Sequence, residues 1–172
     1  MRPFILLVTI VSYILLMAGC QVSEEEAVEA AKNIFINSFS PEEIAEANFE
    51  AAQVDFYLPS GMEVTEEIEF NLQLEKNDQI FLMFFIPIEP WDSDVHLKRD
   101  QEFEKDAIIF EEFQEADKLG YLAISPNEEG SYKVIVGIGG AKMTTIATVA
   151  DLAESTEIMT EILHSVQYKN ES

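Results

Sequence analysis

The spacing of apolar residues changes twice along this chain, and those changes limit the folds open to it. Between Ser23 and Phe39, Ala27, Ala31, Ile34, Phe35 and Phe39 recur at helical intervals, with Val28 beside them. From Val54 to Val149 the period is mostly close to two. Helical spacing then returns in Leu152, Ile158, Met159, Ile162, Leu163 and Val166. A helix buries one stripe of side chains and a strand one face. A chain ordered helices, strands, helix closes a core by laying the helices on a sheet. The expected fold is α+β: a meandering antiparallel sheet with N-terminal and C-terminal helices packed on it.

Local signals place the elements. Ser23 is positioned to cap the first helix, with Glu24, Glu25 and Glu26 in its first turn, where carboxylates suit the dipole. Ser40-Pro41-Glu42-Glu43 has the order of a helix start and predicts a short second helix over Pro41 to Ala51. Val54 to Leu58 reads as a strand stopped by Pro59-Ser60-Gly61, resuming at Met62-Glu63-Val64. Ile68, Phe70, Leu72 and Leu74 alternate with polar residues and predict one strand with a buried and a wet face. Lys76-Asn77-Asp78 makes a turn. Ile80 to Ile86 is apolar on both sides, which predicts a central strand covered on both faces or covered by a helix. Pro87 to Glu104 reads as irregular, and Ala107 to Phe113 as a strand. Leu119 to Ser125 and Ser131 to Ile138 form a hairpin, and Gly139-Gly140 is a two-residue turn into Lys142 to Val149. Asp151, with Glu154 three residues on, reads as the cap of the last helix.

The first twenty residues obey a different rule. Arg2 is followed by an uncharged, mostly apolar run from Phe4 to Met17, then by Ala18, Gly19 and Cys20. A basic start, roughly 7–15 apolar residues and small residues before a cut are the parts of a secretory signal. The segment resembles the bacterial lipoprotein signal at Ala18-Gly19-Cys20, and departs from it at Met17, where that family has Leu, Val or Ile. The resemblance implies a diacylglyceryl group on the Cys20 sulfur and cleavage before Cys20. Cys20 is the only cysteine, so no intramolecular disulfide competes for it. Two acyl chains hold a protein stably on a membrane where one holds weakly. The organisation expected is a removed signal at 1–19, a lipidated cysteine and tether at 20–26, one domain at 27–168 and a polar tail at 169–172. The location implied is the cell membrane, facing outside the cytoplasm.

Beyond Cys20 lie nine basic and 33 acidic side chains, a formal charge of −24. That composition excludes direct binding of nucleic acid, which draws on Lys and Arg facing phosphates. Basic clusters for docking on anionic lipid are also lacking. Basic proteins or cations are the partners of compatible sign. Twelve Phe, five Tyr and 48% hydrophobic residues argue against disorder despite the charge. The segment Phe56-Tyr57-Leu58-Pro59-Ser60-Gly61-Met62, with the closing strand and last helix, loosely resembles the PsbP-like/Mog1-like α+β fold. The chain also resembles small lipoproteins of Gram-positive bacteria. The fold resemblance implies a scaffold used for binding and assembly more often than for catalysis.

Few residues of the chain point to chemistry. The histidines are His96, read as lying in the irregular loop, and His164, read as a cationic side chain at a helix C-terminus. No zinc ligand set, no Gly-x-Ser-x-Gly elbow and no phosphate-loop spacing occurs. Gly137 to Lys142 carries glycines and a lysine, but Thr144 to Val149 just beyond it is strand-like, so it reads as hairpin geometry. No cofactor is implied. The stretch that gathers unlike functional groups is Glu89 to His96, where Trp91, Asp92, Asp94 and His96 form a candidate contact surface. The functional expectation is a membrane-anchored, non-catalytic binding or assembly domain. The alternatives are a hydrolase using paired carboxylates and an acidic cation-binding surface.

Overall fold

The computed structural model describes residues 23–39 and 43–169. The signal, Cys20 and the Ser40-Pro41-Glu42 start signature lie outside the described residues.

Helix α1 (Glu24–Ser38) opens with a reciprocal cap. The Ser23 hydroxyl accepts from the Glu26 amide at 3.2 Å, and the Glu26 carboxylate accepts from the Ser23 amide at 3.1 Å. Those bonds hold the Glu26 carboxyl below its ordinary range. Residues 24–26 are therefore the first turn of the helix and not tether. Ala27, Ala31 and Phe35 form its buried stripe.

The expected second helix does not form over 43–51. Residues 44–48 are irregular and lead into strand β1 (Phe49–Glu50), which pairs with β2 (Val54–Phe56). The Asn48 side chain accepts from the Leu58 amide at 2.7 Å and donates to the Leu58 carbonyl at 3.2 Å. Pairing with a strand elsewhere overrides the local start signature.

The long alternating segment is two strands. β3 (Glu63–Ile68) and β4 (Asn71–Lys76) are joined by a two-residue turn at Glu69-Phe70, with Glu69 in the left-handed region at φ 48°. Alternation continues through the turn while the face changes. Leu72 and Leu74 point into the core, whereas Ile68 stands on the other side. Asn77 and Asp78, both with positive φ, turn the chain into β5 (Gln79–Phe85).

Helix α2 (Val95–Phe103) occupies part of the stretch expected to be irregular. Strands β6 (Ile109–Glu115), β7 (Lys118–Pro126), β8 (Tyr132–Ile138) and β9 (Ala141–Ala147) come next as a second meander. The Gly139-Gly140 turn and the hairpin before it are as expected from sequence. β9 pairs with β5, giving one seven-stranded antiparallel sheet in the order β3-β4-β5-β9-β8-β7-β6. Helix α3 (Leu152–Ser165) succeeds a 3₁₀ turn over Val149–Asp151. Asp151 does not cap it: the carboxylate instead accepts from the Thr148 hydroxyl at 2.6 Å. β10 (Gln167–Tyr168) pairs with β2 in a small second sheet.

The fold is mixed α+β with helices at both ends packed on the sheet. α1 and α3 lie together on one face, over Leu122, Ile124, Val134, Val136 and Met143. α2 lies on the other face, where Leu97 packs with Tyr121, Ala123 and Ile135. The connection from central β5 to edge strand β6 must cross the sheet, and α2 is that crossing. Among the described residues no helix is long and apolar enough to cross a membrane.

Candidate functional site: the open half of the sheet

Pairing register sets out the α2 side of the sheet row by row. One row reads Glu63, Glu75, Ile80 across β3, β4 and β5, with Ile146 at the matching end of β9 and Lys133 on β8. The next reads Glu66, Gln73, Leu82, Thr144, Ile135, Ala123, Phe110. The third reads Ile68, Asn71, Phe84, Lys142, Gly137, Tyr121, Glu112. α2 covers the right-hand half of these rows and in the third reaches Lys142 and, with the His96 ring 5.4 Å away, Phe84; the rest of the left-hand half is open.

The covered half is fastened by polar bonds. His96, Asp100 and Glu104 recur every fourth residue and face the sheet. His96 Nε2 donates to the Gly140 carbonyl at 3.0 Å. Burial holds His96 below the ordinary imidazole range, and the Lys142 charge adds to that. Asp100 accepts from Tyr121 Oη at 2.6 Å and from Lys142 Nζ at 2.9 Å on each oxygen. Burial and the Asp100 charge push the Tyr121 phenol well up. Glu104 accepts from Lys133 Nζ at 2.6 Å and from Ser125 Oγ at 2.8 Å. The Tyr121 ring stacks on Phe110 at 5.7 Å and lies over Gly137, where a Cβ would meet the ring at 2.1 Å. Both buried carboxylates are thus met by a lysine and a hydroxyl, which satisfies charge and lone pairs together.

The open half carries apolar side chains with no cover among the described residues. Relative exposures are 57% for Ile68, 47% for Ile80, 53% for Leu82 and 46% for Ile146. Ile80 to Ile86 is a central strand, as expected, but of the two covers expected for it, cover on both faces is corrected: Phe81, Met83 and Phe85 are buried on one face, while Ile80 and Leu82 are exposed on the other. A hollow of about 320 Å³ lies here, lined by Ile68, Leu82 and Phe84, with Glu66, Gln73 and Thr144 around them. That is the low end of the ligand-pocket range. The charged residues that line it are Glu66 and Lys142, and further carboxylates stand beyond Glu66. Glu63 and Glu75 are direct cross-strand partners and Glu66 is beside them, and none of the three joins an ion pair among the described residues. Lys142 at the hollow's other margin is occupied by Asp100.

The four residues singled out from sequence do not form one surface. Trp91 is half-buried, stacks on Tyr168 at 5.5 Å and packs against the main core. Its backbone closes on Gly139, where a Cβ would lie 2.6 Å from Trp91 Cα. Asp92 is exposed. Asp94 precedes α2 and pairs with Lys98 at 2.6 Å. His96 is buried in the first turn of α2, not in an exposed loop. Cys20 lies outside the described residues.

His164 is also corrected. It is 7% exposed, neither ring nitrogen has a partner among the described residues, and Phe39 packs edge-on at 5.3 Å. Burial pulls its pKa down to about 4, so it is neutral and does not serve as a cation for the dipole. It lines a wider hollow with Glu43, Glu46, Glu157 and Glu161. Burial raises the Glu161 carboxyl, and the neighbouring Glu157 charge adds to it. Among the described residues no three His, Cys, Asp or Glu side chains stand close enough together to hold a metal ion.

Sequence reasoning missed Ile68, Ile80, Leu82 and Ile146, together with the carboxylates beside them. The signal was β5 itself, whose apolar residues on both sides demand a cover twice over. The molecule is an α+β domain with a double-faced sheet, one face closed and the other half closed. No protein-family model, curated protein or solved structure matches the chain.

Proposed function

We propose that this chain is an exported lipoprotein, held on the outer side of the membrane by acyl chains on Cys20, whose folded domain is a non-catalytic binding or assembly module. The observation that carries the binding reading is the half-open sheet face: exposed Ile80 and Leu82 on β5 beside Ile146 on β9, with Ile68 on β3 across the polar residues of β4. A contiguous exposed apolar patch on a folded domain marks a contact surface. The buried carboxylates that face cations, Asp100 and Glu104, are spent on fastening α2, which fits a scaffold better than a reactive centre.

The anchor reading rests on Ala18-Gly19-Cys20 after an apolar run, and on a lone cysteine. It also gives the domain an orientation. Only Gln21 and Val22 separate Cys20 from Ser23, a reach of about 10 Å at full extension. Glu24 accepts from Tyr132 Oη at 2.7 Å, so α1 begins at the end of the sheet where β8 starts. That end faces the bilayer and the Gly139-Gly140 end points away. The open face then looks sideways, toward neighbours on the same membrane.

Metabolic labelling with an alkyne fatty acid tests the anchor. The expected result is label on the wild-type chain and none on Cys20→Ala. An unlabelled wild-type chain retaining Met1 to Gly19 overturns it.

A further inference from the structure

We infer that the open half of the sheet is the seat of a basic amphipathic helix from a partner protein, laid beside α2 so as to complete that layer. The inference rests on the binding reading above and gives it a site and a partner class.

Three observations carry it. The first is width. An α-helix with its side chains is about 10 Å across, roughly two strand spacings of about 4.8 Å. α2 runs along β7 and β8, from Gly140 at His96 to Ser125 and Lys133 at Glu104. α2 also meets Lys142 on β9 and, at His96, Phe84 on β5; at the Ile80–Ile146 end it leaves β3, β4, β5 and β9 clear, about 14 Å between their outer members, room for one more helix. The second is the apolar line. Ile80 and Leu82 on β5, with Ile146 on β9 and Ile68 on β3, offer an aliphatic strip of the sort that α2 covers on Ala123 and Ile135.

The third is charge. Glu63 and Glu75 face each other across the β3–β4 pair on the open face, and Glu66 stands one row along. Like charges directly opposite destabilise a strand pair, and no lysine or arginine among the described residues relieves these three. A partner bearing Lys or Arg along one flank of its apolar stripe relieves them on binding. A second copy of this chain does not: it brings the same carboxylates and a further formal charge of −24. Self-association is therefore disfavoured by the same feature that favours a basic partner.

The test uses the acylated protein in nanodiscs of phosphatidylcholine, with an 18-residue fluorescent peptide of Leu and Lys patterned as an amphipathic helix, followed by anisotropy at 0.15 M salt. Saturable binding is expected, with at least a tenfold loss of affinity in Leu82→Asp and in the pair Glu66→Lys, Glu75→Lys. Phe103→Asp, a substitution of an exposed residue at the end of α2, is expected to stay within twofold. Circular dichroism confirms that each variant is folded; Glu66→Lys sits on an exposed position and keeps the test usable if Leu82→Asp does not fold. Binding unchanged in the groove variants overturns the inference, as does equal binding of a Lys/Gln peptide without the apolar stripe. A dimer seen by sedimentation and lost in Leu82→Asp assigns the face to a second copy and overturns it too. The fatty-acid label on Cys20 reads out independently, so a failed groove and a failed anchor are told apart.

Discussion

Replacing Lys142 by Met isolates what holds α2 to the sheet. The Asp100 side chain is 6% exposed and that of Lys142 17%. The carboxylate has two donors, the Tyr121 phenol at 2.6 Å and the Lys142 ammonium at 2.9 Å from both oxygens. With methionine, a buried carboxylate keeps only the phenol. Removing one partner of a buried ion pair costs about 3–5 kcal/mol. The other attachments of α2 are modest: the buried Leu97, whose burial is worth about 1.5–3 kcal/mol, the Glu104–Lys133 pair, the His96–Gly140 bond, the edge contact of His96 with Phe84 and the Gln101–Glu112 bond. The loss is thus comparable with the whole attachment of the helix, and α2 should open before the sheet does. Native-state hydrogen exchange is the assay. Amides of 97–104 should exchange on the order of 1,000-fold faster, the equivalent of about 4 kcal/mol, with those of α3 protected as before. Asp100→Asn added to Lys142→Met removes the stranded charge and should restore about 2 kcal/mol. Exchange in α2 within threefold of wild type, or a double variant no better than Lys142→Met, refutes the polar fastening of this helix.

Acidification should destabilise the domain through His164. Its pKa is about 4 when folded and near 6.5 when unfolded, so the unfolded chain binds the proton first. Stability is full above about pH 6.5 and falls as the pH drops toward 4, by about 2–3 kcal/mol. Burial lowers His96 as well and adds a loss of the same sign. Urea midpoints at pH 7.5 and 4.5 measure the drop, and His164→Phe should flatten it; an equal drop in that variant contradicts the assignment. Gly137→Ala should cost about 1–3 kcal/mol, because the added methyl meets the Tyr121 ring pinned between Phe110 and Asp100. A thermal melt unchanged by that substitution removes the case for tight packing there.

The parts of the fold legible in the sequence are those set by neighbours along the chain. Ser23 and Glu26 meet three residues apart, Asn77-Asp78 and Gly139-Gly140 turn two adjacent strands, and the stripe of α3 is buried at every residue named for it. Errors arise where a distant partner decides. Asn48 to Ala51 carry no mark of their pairing with β2, so nothing local opposes the Ser40-Pro41 start signature. The Glu69-Phe70 turn lacks glycine, proline and asparagine, and nothing local announces it. α2 reads as irregular because its buried face is His96, Leu97 and Asp100, followed by the half-buried Glu104 at its C-cap, mostly polar residues whose role depends on Lys142 and Lys133 from β9 and β8. A hydrophobic period cannot reveal a helix fastened by ion pairs.

The candidate site is illegible for a related reason. Burial on the second face of the sheet depends on strand order, and β9 inserting beside β5 is a pairing across about sixty residues of chain. Had β6 come next to β5 in space, as a simple meander expects, the intervening segment would have had no sheet to cross and α2 no face to cover. The insertion of three strands between β5 and β6 forces the crossing, and one nine-residue helix is too narrow to cover seven strands. The bare strip beside it is the remainder of that mismatch between sheet width and helix width. Its aliphatic character is what makes the remainder consequential: a surplus of sheet that only had to meet water would carry polar residues at Ile80, Leu82 and Ile146, as it does at Asn71, Gln73 and Thr144 on the strands around them. Among the described residues nothing covers the strip, and it is there that the proposed partner would sit.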